Sequence, residues 1–196
     1  MRGKNKILLL AGPSAAGKTT VARCIENCVP TFSLVRSATT RSPRGDGNDS
    51  EYLYMSREEF LSCVREGGFL EHTEFSGSLY GTPSFEIERI ISEGGTPVLI
   101  LDLNGIQSLR RSSAYPIFAV YLFADEKTLD SRLYDRITGG GEMTEELARQ
   151  YESRRAKARE YKALVEERRE LFDAFVDTSK RTPDEVAREI LSLLNK

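Results

Sequence analysis

The chain has 196 residues, a formal net charge of -2, 39% hydrophobic residues and 30% charged residues. This length and composition predict a globular protein with one main core and exclude a disordered chain. Because the charge is balanced, we expect neither a nucleic acid nor a membrane as a partner. The first apolar run is too short for a signal peptide or a membrane span, and the three cysteines then favour a reduced, cytoplasmic protein.

Four short apolar runs predict the strands of a parallel sheet that is buried on both faces, because they are continuous rather than alternating. These strands are expected at 6–11, 97–103, 117–123 and 174–178. Helical patterns are predicted at 17–28, 57–66, 83–93, 125–136, 144–172 and 182–195. Strands that alternate with helices predict an α/β fold with three layers and a central parallel sheet.

The clearest motif is GPSAAGKT at 12–19, which directly follows the first strand and precedes the first helix. Its glycines permit backbone angles that turn N–H groups toward a phosphate chain at the helix N-terminus. In this pattern Lys18 reaches the β- and γ-phosphates of a nucleotide, and the Thr19 hydroxyl binds Mg²⁺. The predicted nucleotide-binding residues are Gly12, Pro13, Ser14, Ala15, Ala16, Gly17, Lys18, Thr19 and Thr20.

Two segments depart from the alternation of strands and helices. Residues 35–82 combine aromatic residues, arginines and a polar loop, which indicates an inserted substrate-holding lobe of mixed α/β structure. Three consecutive glycines in ITGGGEMT at 137–144 indicate a mobile helical lid, and a solvent loop without a role is the alternative. We therefore predict a single domain with core segments 1–34, 83–136 and 155–196, the lobe at 35–82 and the lid at 137–154.

The lobe and the segments after it carry a second group of motifs. They are S-x-TTR-x-PR at 37–44, Tyr52, FLE at 69–71, YGT at 80–82, DLNG at 102–105 and RLYDR at 132–136. Together with the phosphate-binding loop, this order resembles guanylate kinase, a P-loop nucleoside-monophosphate kinase. The resemblance implies direct transfer of a phosphoryl group from ATP to GMP, with Mg²⁺ as the cofactor. It also implies dGMP as a second acceptor. The chain would act as a monomer or a homodimer.

Two arginines and two tyrosines of the lobe are candidates for binding the acceptor phosphate. Arg41 and Arg44 lie three residues apart with a proline between them, which favours an extended segment. With the hydroxyls of Tyr52 and Tyr80, their guanidinium groups suit a phosphate monoester. Spacing alone fits surface arginines and core tyrosines equally well, whereas the resemblance favours the phosphate site.

Glu71 is the candidate for reading the base. The N1–H and 2-amino groups of guanine both donate to a carboxylate, whereas adenine has an acceptor at N1 and no 2-amino group. The resemblance places Ser37 and Thr82 at base-contacting positions, although either hydroxyl could instead cap local backbone. Asp102 matches a position that faces the nucleotide, where it could bind the guanine amino group or a Mg²⁺-bound water; its alternative is to cap a helix from Asn104 onward.

Arginines near the lid are candidates for stabilising the transferred phosphoryl group. Arg132 and Arg136 lie four residues apart on one helix face and match family positions that contact the transferring phosphates. A third arginine is expected after the lid, where Arg154 is favoured and Arg149 and Arg155 compete. Ordinary surface arginines are the alternative for all of them.

The chain departs from the family pattern at three places, one of which is a lid several residues longer than usual that contains three consecutive glycines. Ile100 stands where an acidic residue is usual, two positions before Asp102. The stretch VDTSK at 176–180 replaces an asparagine-rich segment, so no adenine contacts are carried over. A kinase for another monophosphate and a phosphopeptide-binding module of the same fold are the competing functions, and the intact phosphate loop argues against the second.

Overall fold

The computed structural model describes residues 6–43, 52–75 and 77–195. Its strands are β1 (Ile7–Ala11), β2 (Phe32–Leu34), β3 (Ser37–Thr39), β4 (Tyr52–Tyr54), β5 (Phe69–Phe75), β6 (Ser78–Pro83), β7 (Thr96–Ile100), β8 (Ile117–Phe123) and β9 (Ala174–Asp177). Its helices are α1 (Lys18–Cys28), α2 (Arg57–Arg65), α3 (Ser84–Ser92), α4 (Leu103–Ser112), α5 (Glu126–Thr138), α6 (Glu145–Glu167) and α7 (Pro183–Leu194).

A five-stranded sheet has the order β2-β7-β1-β8-β9, with parallel pairing of β2 to β7 and of β8 to β9. Every residue of β1 is buried, as the continuous apolar run predicts. The α/β fold with a central parallel sheet is therefore confirmed. Strand β2 is absent from the predicted elements because it has three half-buried residues, which give no clear hydrophobic pattern.

Two compact units divide the chain. The first unit comprises residues 1–9 and 26–118, and the second comprises residues 10–25 and 119–196. The first contains a smaller sheet of order β4-β3-β6-β5, in which β3 pairs parallel to β4 and antiparallel to β6. The second contains the phosphate-binding loop and helices α5, α6 and α7. The predicted division into core, lobe and lid stays a prediction.

The smaller sheet has an apolar face and a polar face because successive side chains of a strand point to opposite sides. Ala38 and Leu79 pack with Phe60 of α2 in a buried apolar cluster. The register places Ser37 opposite Tyr52, Thr39 opposite Tyr80 and Glu71 opposite Thr82. Five of these residues alternate with apolar ones, and a register shift after Phe69 places Glu71 on the same face as Thr82. The candidate substrate residues among them therefore share one face of the sheet.

Two predicted boundaries were wrong. The strand predicted at 97–103 ends at Ile100, because Asp102 caps a new helix, α4, that is absent from the predicted helical stretches. The helix predicted at 144–172 ends at Glu167 and is followed by a 3₁₀ turn at Arg169–Leu171. This tighter turn accompanies the burial of Leu171, and the chain then enters β9.

The glycine run after α5 terminates that helix. Gly139 and Gly140 have φ values of 59° and 85°, a left-handed conformation that glycine adopts without steric cost. The Gly139 N–H donates to the Asp135 carbonyl and closes the last turn. The role of this segment as a lid stays a prediction. Across the described ranges, no helix is both long enough and apolar enough to span a bilayer.

Candidate active site

The loop between β1 and α1 has the backbone of a phosphate cradle. Gly12, Ala15 and Gly17 have positive φ values of 152°, 66° and 87°, and alternating backbone hand of this kind turns successive N–H groups inward. A Cβ on Gly12 would lie 2.3 Å from the Leu122 carbonyl oxygen, so only glycine fits there. The loop leads directly into the N-terminus of α1, which favours an anion.

Lys18 places its ammonium group over this loop. Its Nζ donates to the carbonyls of Gly12 at 2.8 Å and Pro13 at 2.9 Å. Burial, together with the nearby charge of Arg136, lowers the pKa of Lys18 to about 8. Arg136 therefore lies near enough to the loop lysine, within the second unit, for the two like charges to repel each other.

Arg132 forms a bidentate contact with Thr178, directly after β9. Its Nη1 donates to Thr178 Oγ1 at 3.1 Å and its Nη2 donates to the Thr178 carbonyl at 2.7 Å. The Thr178 hydroxyl also lies 3.2 Å from the Ala16 carbonyl in the phosphate loop. Thr178 therefore links Arg132 to the loop, since one hydroxyl lies within hydrogen-bond distance of both.

The arginines after the glycine run differ in their surroundings. Arg155 is held in a bidentate ion pair by Asp130 of α5, with both N–O distances at 2.8 Å. Arg149 is exposed and donates to the backbone carbonyl of Glu145. Arg154 is half-buried on the same helix. Because Arg155 serves to join α5 to α6, the assignment of the third arginine to Arg154 is retained as a proposal.

The Arg41 guanidinium lies among tyrosine rings of the lobe. Its Cζ is 5.0 Å from the centre of the Tyr52 ring, and its Nη2 donates to the Tyr54 hydroxyl at 3.3 Å. The rings of Tyr52 and Tyr80 contact each other edge to face, with centres 6.3 Å apart. Three of the four predicted phosphate-binding residues are thus grouped on the polar face, and the fourth, Arg44, lies outside the described residues.

Glu71 is a buried carboxylate with a defined anchor. Only 6% of its surface is exposed, and its Oε1 accepts a 2.6 Å hydrogen bond from the hydroxyl of Thr82. Burial raises the pKa of Glu71, the Thr82 hydroxyl opposes that rise, and the nearby charge of Asp102 adds to it. The prediction paired Glu71 with Thr82 in one base-reading set, and the two side chains do contact each other.

Asp102 and Gly105 shape the surroundings of the second Glu71 oxygen. Asp102 is the N-cap of α4, and its Oδ1 accepts from the Gly105 N–H at 2.8 Å, which is the capping role kept open by the sequence. A Cβ on Gly105 would lie 3.3 Å from Glu71 Oε2 and 3.4 Å from Asp102 Oδ1. The cap therefore lies next to the Glu71 carboxylate, and Ser37 occupies the first position of β3 on the polar face.

Sequence reasoning assigned no individual role to three residues of this arrangement. Tyr54 follows Tyr52 by two positions, so strand alternation could have placed it on the same face. Gly105 stands inside a helix, where glycine is unfavourable by about 1 kcal/mol and therefore signals a packing demand. Nothing local to Thr178 indicates its contact with Arg132, which lies 46 residues earlier in the chain.

A parallel α/β sheet, a glycine-rich phosphate loop with its lysine, and arginines beside that loop define a kinase of the P-loop class. The family model for guanylate kinase matches residues 4–180 of this chain. The chain belongs to the guanylate kinase family.

Several curated relatives are named guanylate kinase. The protein of Rubrobacter xylanophilus is 42% identical over 109 residues, which cover 55% of this chain and 57% of that protein. Those of Lactobacillus delbrueckii and a Synechococcus species are 36% and 37% identical, and the alignments cover 70% and 68% of this chain. These two alignments cover 69% and 73% of the relatives, whereas the Rubrobacter alignment covers less than two thirds.

Solved structures agree with the fold. A crystal structure of guanylate kinase from Anaplasma phagocytophilum matches with a TM-score of 0.66 and 25% identity, covering 98% of this chain and 85% of that one. A shikimate kinase from Acinetobacter baumannii matches with a TM-score of 0.51 and 18% identity, covering 99% and 94%. The second likeness concerns the fold alone.

Proposed function

We propose that this chain transfers the γ-phosphoryl group of ATP to GMP, giving ADP and GDP, the reaction that its family membership supports. The observation that carries the proposal is the buried Glu71 carboxylate, anchored by Thr82 on the polar face of the lobe sheet. A buried carboxylate needs hydrogen-bond donors, and guanine presents two of them side by side. Adenine presents an acceptor at N1, which would oppose the carboxylate.

The guanidinium of Arg41 and the hydroxyls of Tyr52 and Tyr80 would hold the acceptor phosphate. Arg41 is always charged and its planar fork suits phosphate oxygens, while the ring of Tyr52 fixes its orientation. Arg44 has the same expected role from the sequence motif. The Ser37 hydroxyl would contact the edge of the guanine. Asp102, whose side chain caps α4 next to Glu71, would lie beside the base.

The phosphate loop would hold the donor phosphates of ATP. Its inward N–H groups and the N-terminus of α1 suit the triphosphate, and the Lys18 ammonium would move from the loop carbonyls to the β- and γ-phosphates. Thr19, in the first turn of α1, offers the oxygen ligand that Mg²⁺ prefers, so the residues present fit this ion. Bound Mg²⁺ would supply charge neutralisation on the phosphates.

Arg132, Arg136 and Arg154 would stabilise the charge that spreads over the transferred group. In phosphoryl transfer the protein mainly positions its substrates and offsets charge, so no covalent intermediate is required. The segment after α5 would exclude water and so limit hydrolysis of ATP. Because the bonds to the base do not involve the ribose 2′-hydroxyl, dGMP is expected as a second acceptor. The cytoplasm is the proposed location.

A panel of nucleoside monophosphates with ATP and Mg²⁺ tests the proposal. In a coupled assay of ADP release, GMP should exceed AMP, CMP and UMP in kcat/KM by roughly 10⁴-fold, the discrimination typical of a site that hydrogen-bonds its substrate. Turnover of another monophosphate at a rate comparable to GMP would refute the base-recognition argument. Absence of ADP release with every acceptor would refute the kinase assignment.

A further inference from the structure

Thr178 joins three parts of the second unit through hydrogen bonds. Its side chain is buried, with 3% of the residue exposed, immediately after the end of β9. The hydroxyl lies 3.2 Å from the carbonyl of Ala16 and 3.1 Å from that of Phe123, and the Thr178 N–H donates to Phe123 at 2.8 Å. The residue therefore ties the end of β9 to both the phosphate loop and β8.

The same residue presents two oxygens to one guanidinium. Arg132 donates from Nη1 to Thr178 Oγ1 and from Nη2 to the Thr178 carbonyl, at 3.1 Å and 2.7 Å. The hydroxyl hydrogen points to one of the two backbone carbonyls, which leaves the hydroxyl lone pairs for the arginine. A planar fork held by two acceptors keeps a fixed direction, unlike a single contact to a long side chain.

We infer that Thr178 is a positioning residue, which fixes the guanidinium of Arg132 relative to the Ala16 carbonyl of the phosphate loop. This inference rests on the proposed function, in which Arg132 stabilises the charge of the transferred group. A charge that is already oriented before the reaction stabilises a transition state without reorganising, which is the larger part of electrostatic catalysis. In this proposal Thr178 acts through Arg132.

Thr178→Val tests the hydroxyl, because valine has nearly the same shape and cannot hydrogen-bond. A lost hydrogen bond to a charged group corresponds to about a 10- to 100-fold fall in kcat. The KM for GMP should stay within about twofold of the original, since the proposed GMP contacts lie in the other unit. Thr178→Ser retains the hydroxyl and should recover kcat to within about threefold. A purely structural role would move stability without producing this split.

A double variant with Arg132→Met tests whether the two residues act as one device. If Thr178 works through Arg132, adding Thr178→Val to Arg132→Met should lower kcat by less than about threefold. If the two residues act independently, the fold losses of kcat in the two single variants should multiply. Multiplied losses would overturn the inference. An unchanged kcat in Thr178→Val, or equal damage in Thr178→Ser, would overturn it as well.

Nitrogen NMR of the Arg132 guanidinium separates this inference from the proposed function. Restricted rotation of both Nη groups should be visible in the original protein and in Thr178→Ser. In Thr178→Val it should be lost at Nη1, whose acceptor is the hydroxyl, and kept at Nη2, whose acceptor is the backbone carbonyl. Failure to phosphorylate GMP would refute the proposed function, and the NMR comparison would still decide the Thr178 contact. Free rotation of the Arg132 Nη groups in the original protein would overturn the contact itself.

Discussion

Replacing Glu71 with glutamine is the sharpest perturbation of the proposed guanine site. Glutamine has the shape of glutamate, and the hydroxyl of Thr82 donates to Oε1 at 2.6 Å. This donor would hold the amide oxygen of the variant in the place of Oε1, so its NH₂ group would take the place of Oε2, beside Gly105.

The expected loss of kcat/KM for GMP follows from this orientation of the amide. One guanine donor would lose a carboxylate acceptor and face the NH₂ of the variant instead. A hydrogen bond to a charged group contributes about 1.5–3 kcal/mol, and the unpaired donor lies in a buried site, so we expect the upper end, about 3 kcal/mol. That corresponds to roughly a 100-fold loss of kcat/KM for GMP. AMP should lose much less, because the amide can donate to adenine N1.

The assay compares kcat/KM for GMP and for AMP in the original protein and in Glu71→Gln, with ATP and Mg²⁺ held constant. Glu74→Gln is the matched control, because Glu74 lies on the same strand, is exposed, and forms a surface ion pair with Arg57 at 3.5 Å. The control should change neither value by more than about twofold. An unchanged ratio of GMP to AMP in Glu71→Gln would show that Glu71 has a structural role and does not read the base.

The same variant should be more stable than the original at neutral pH. Burial raises the pKa of Glu71 above its usual 4.5, so the folded protein binds more protons than the unfolded chain as the carboxyl titrates. Stability contributed by this group therefore falls as pH rises from about 4.5 through the raised value. The Tm of Glu71→Gln should match the original at low pH and exceed it once the pH passes the raised pKa of Glu71; a difference that does not change with pH would contradict the burial argument.

Two further predictions concern the loop lysine and the glycine of α4. Because the pKa of Lys18 is lowered to about 8, binding of ATP and Mg²⁺ to the free enzyme should weaken above pH 8 in calorimetry. Arg136→Met should raise the pH at which ATP binding weakens, because the variant lacks the charge that lowers the pKa of Lys18. A Kd for ATP that stays constant up to pH 9.5 in the original protein would contradict the prediction. Gly105→Ala should raise the KM for GMP about tenfold without lowering Tm, since its Cβ would press on Glu71 while improving helix propensity. Asn104→Ala, exposed on the same helix, controls for propensity, and an unchanged KM in Gly105→Ala would contradict the packing argument.

Local patterns in the sequence were sufficient for the sheet and for the phosphate loop. Strand β1 needs only a run of apolar residues, and the loop conformation needs glycines at 12 and 17, both of which have positive φ. The last helix is equally local, because Thr182 and Glu185 form a capping box around its first turn. Such features depend on neighbours within a few residues, so a reader of the sequence can find them.

Helix α4 shows where this local reading fails. Its first residues follow β7 after only two positions, and the apolar pattern continues across Leu101 and Leu103, so the sequence predicts a longer strand. The break comes from the Asp102 side chain, which accepts from the Gly105 N–H and starts a helix. The sequence contained both interpretations of Asp102, and the three-dimensional structure shows the cap beside Glu71.

By itself the sequence determined which chemical groups the proposed function uses, because motif spacing is a property of neighbouring residues. Only the tertiary structure decided which of these groups meet. Thr82 anchors a carboxylate 11 positions away, and Thr178 holds Arg132 and reaches a loop carbonyl 162 positions earlier. Contacts at such separations depend on the path of the whole chain, and no local pattern of residues encodes them.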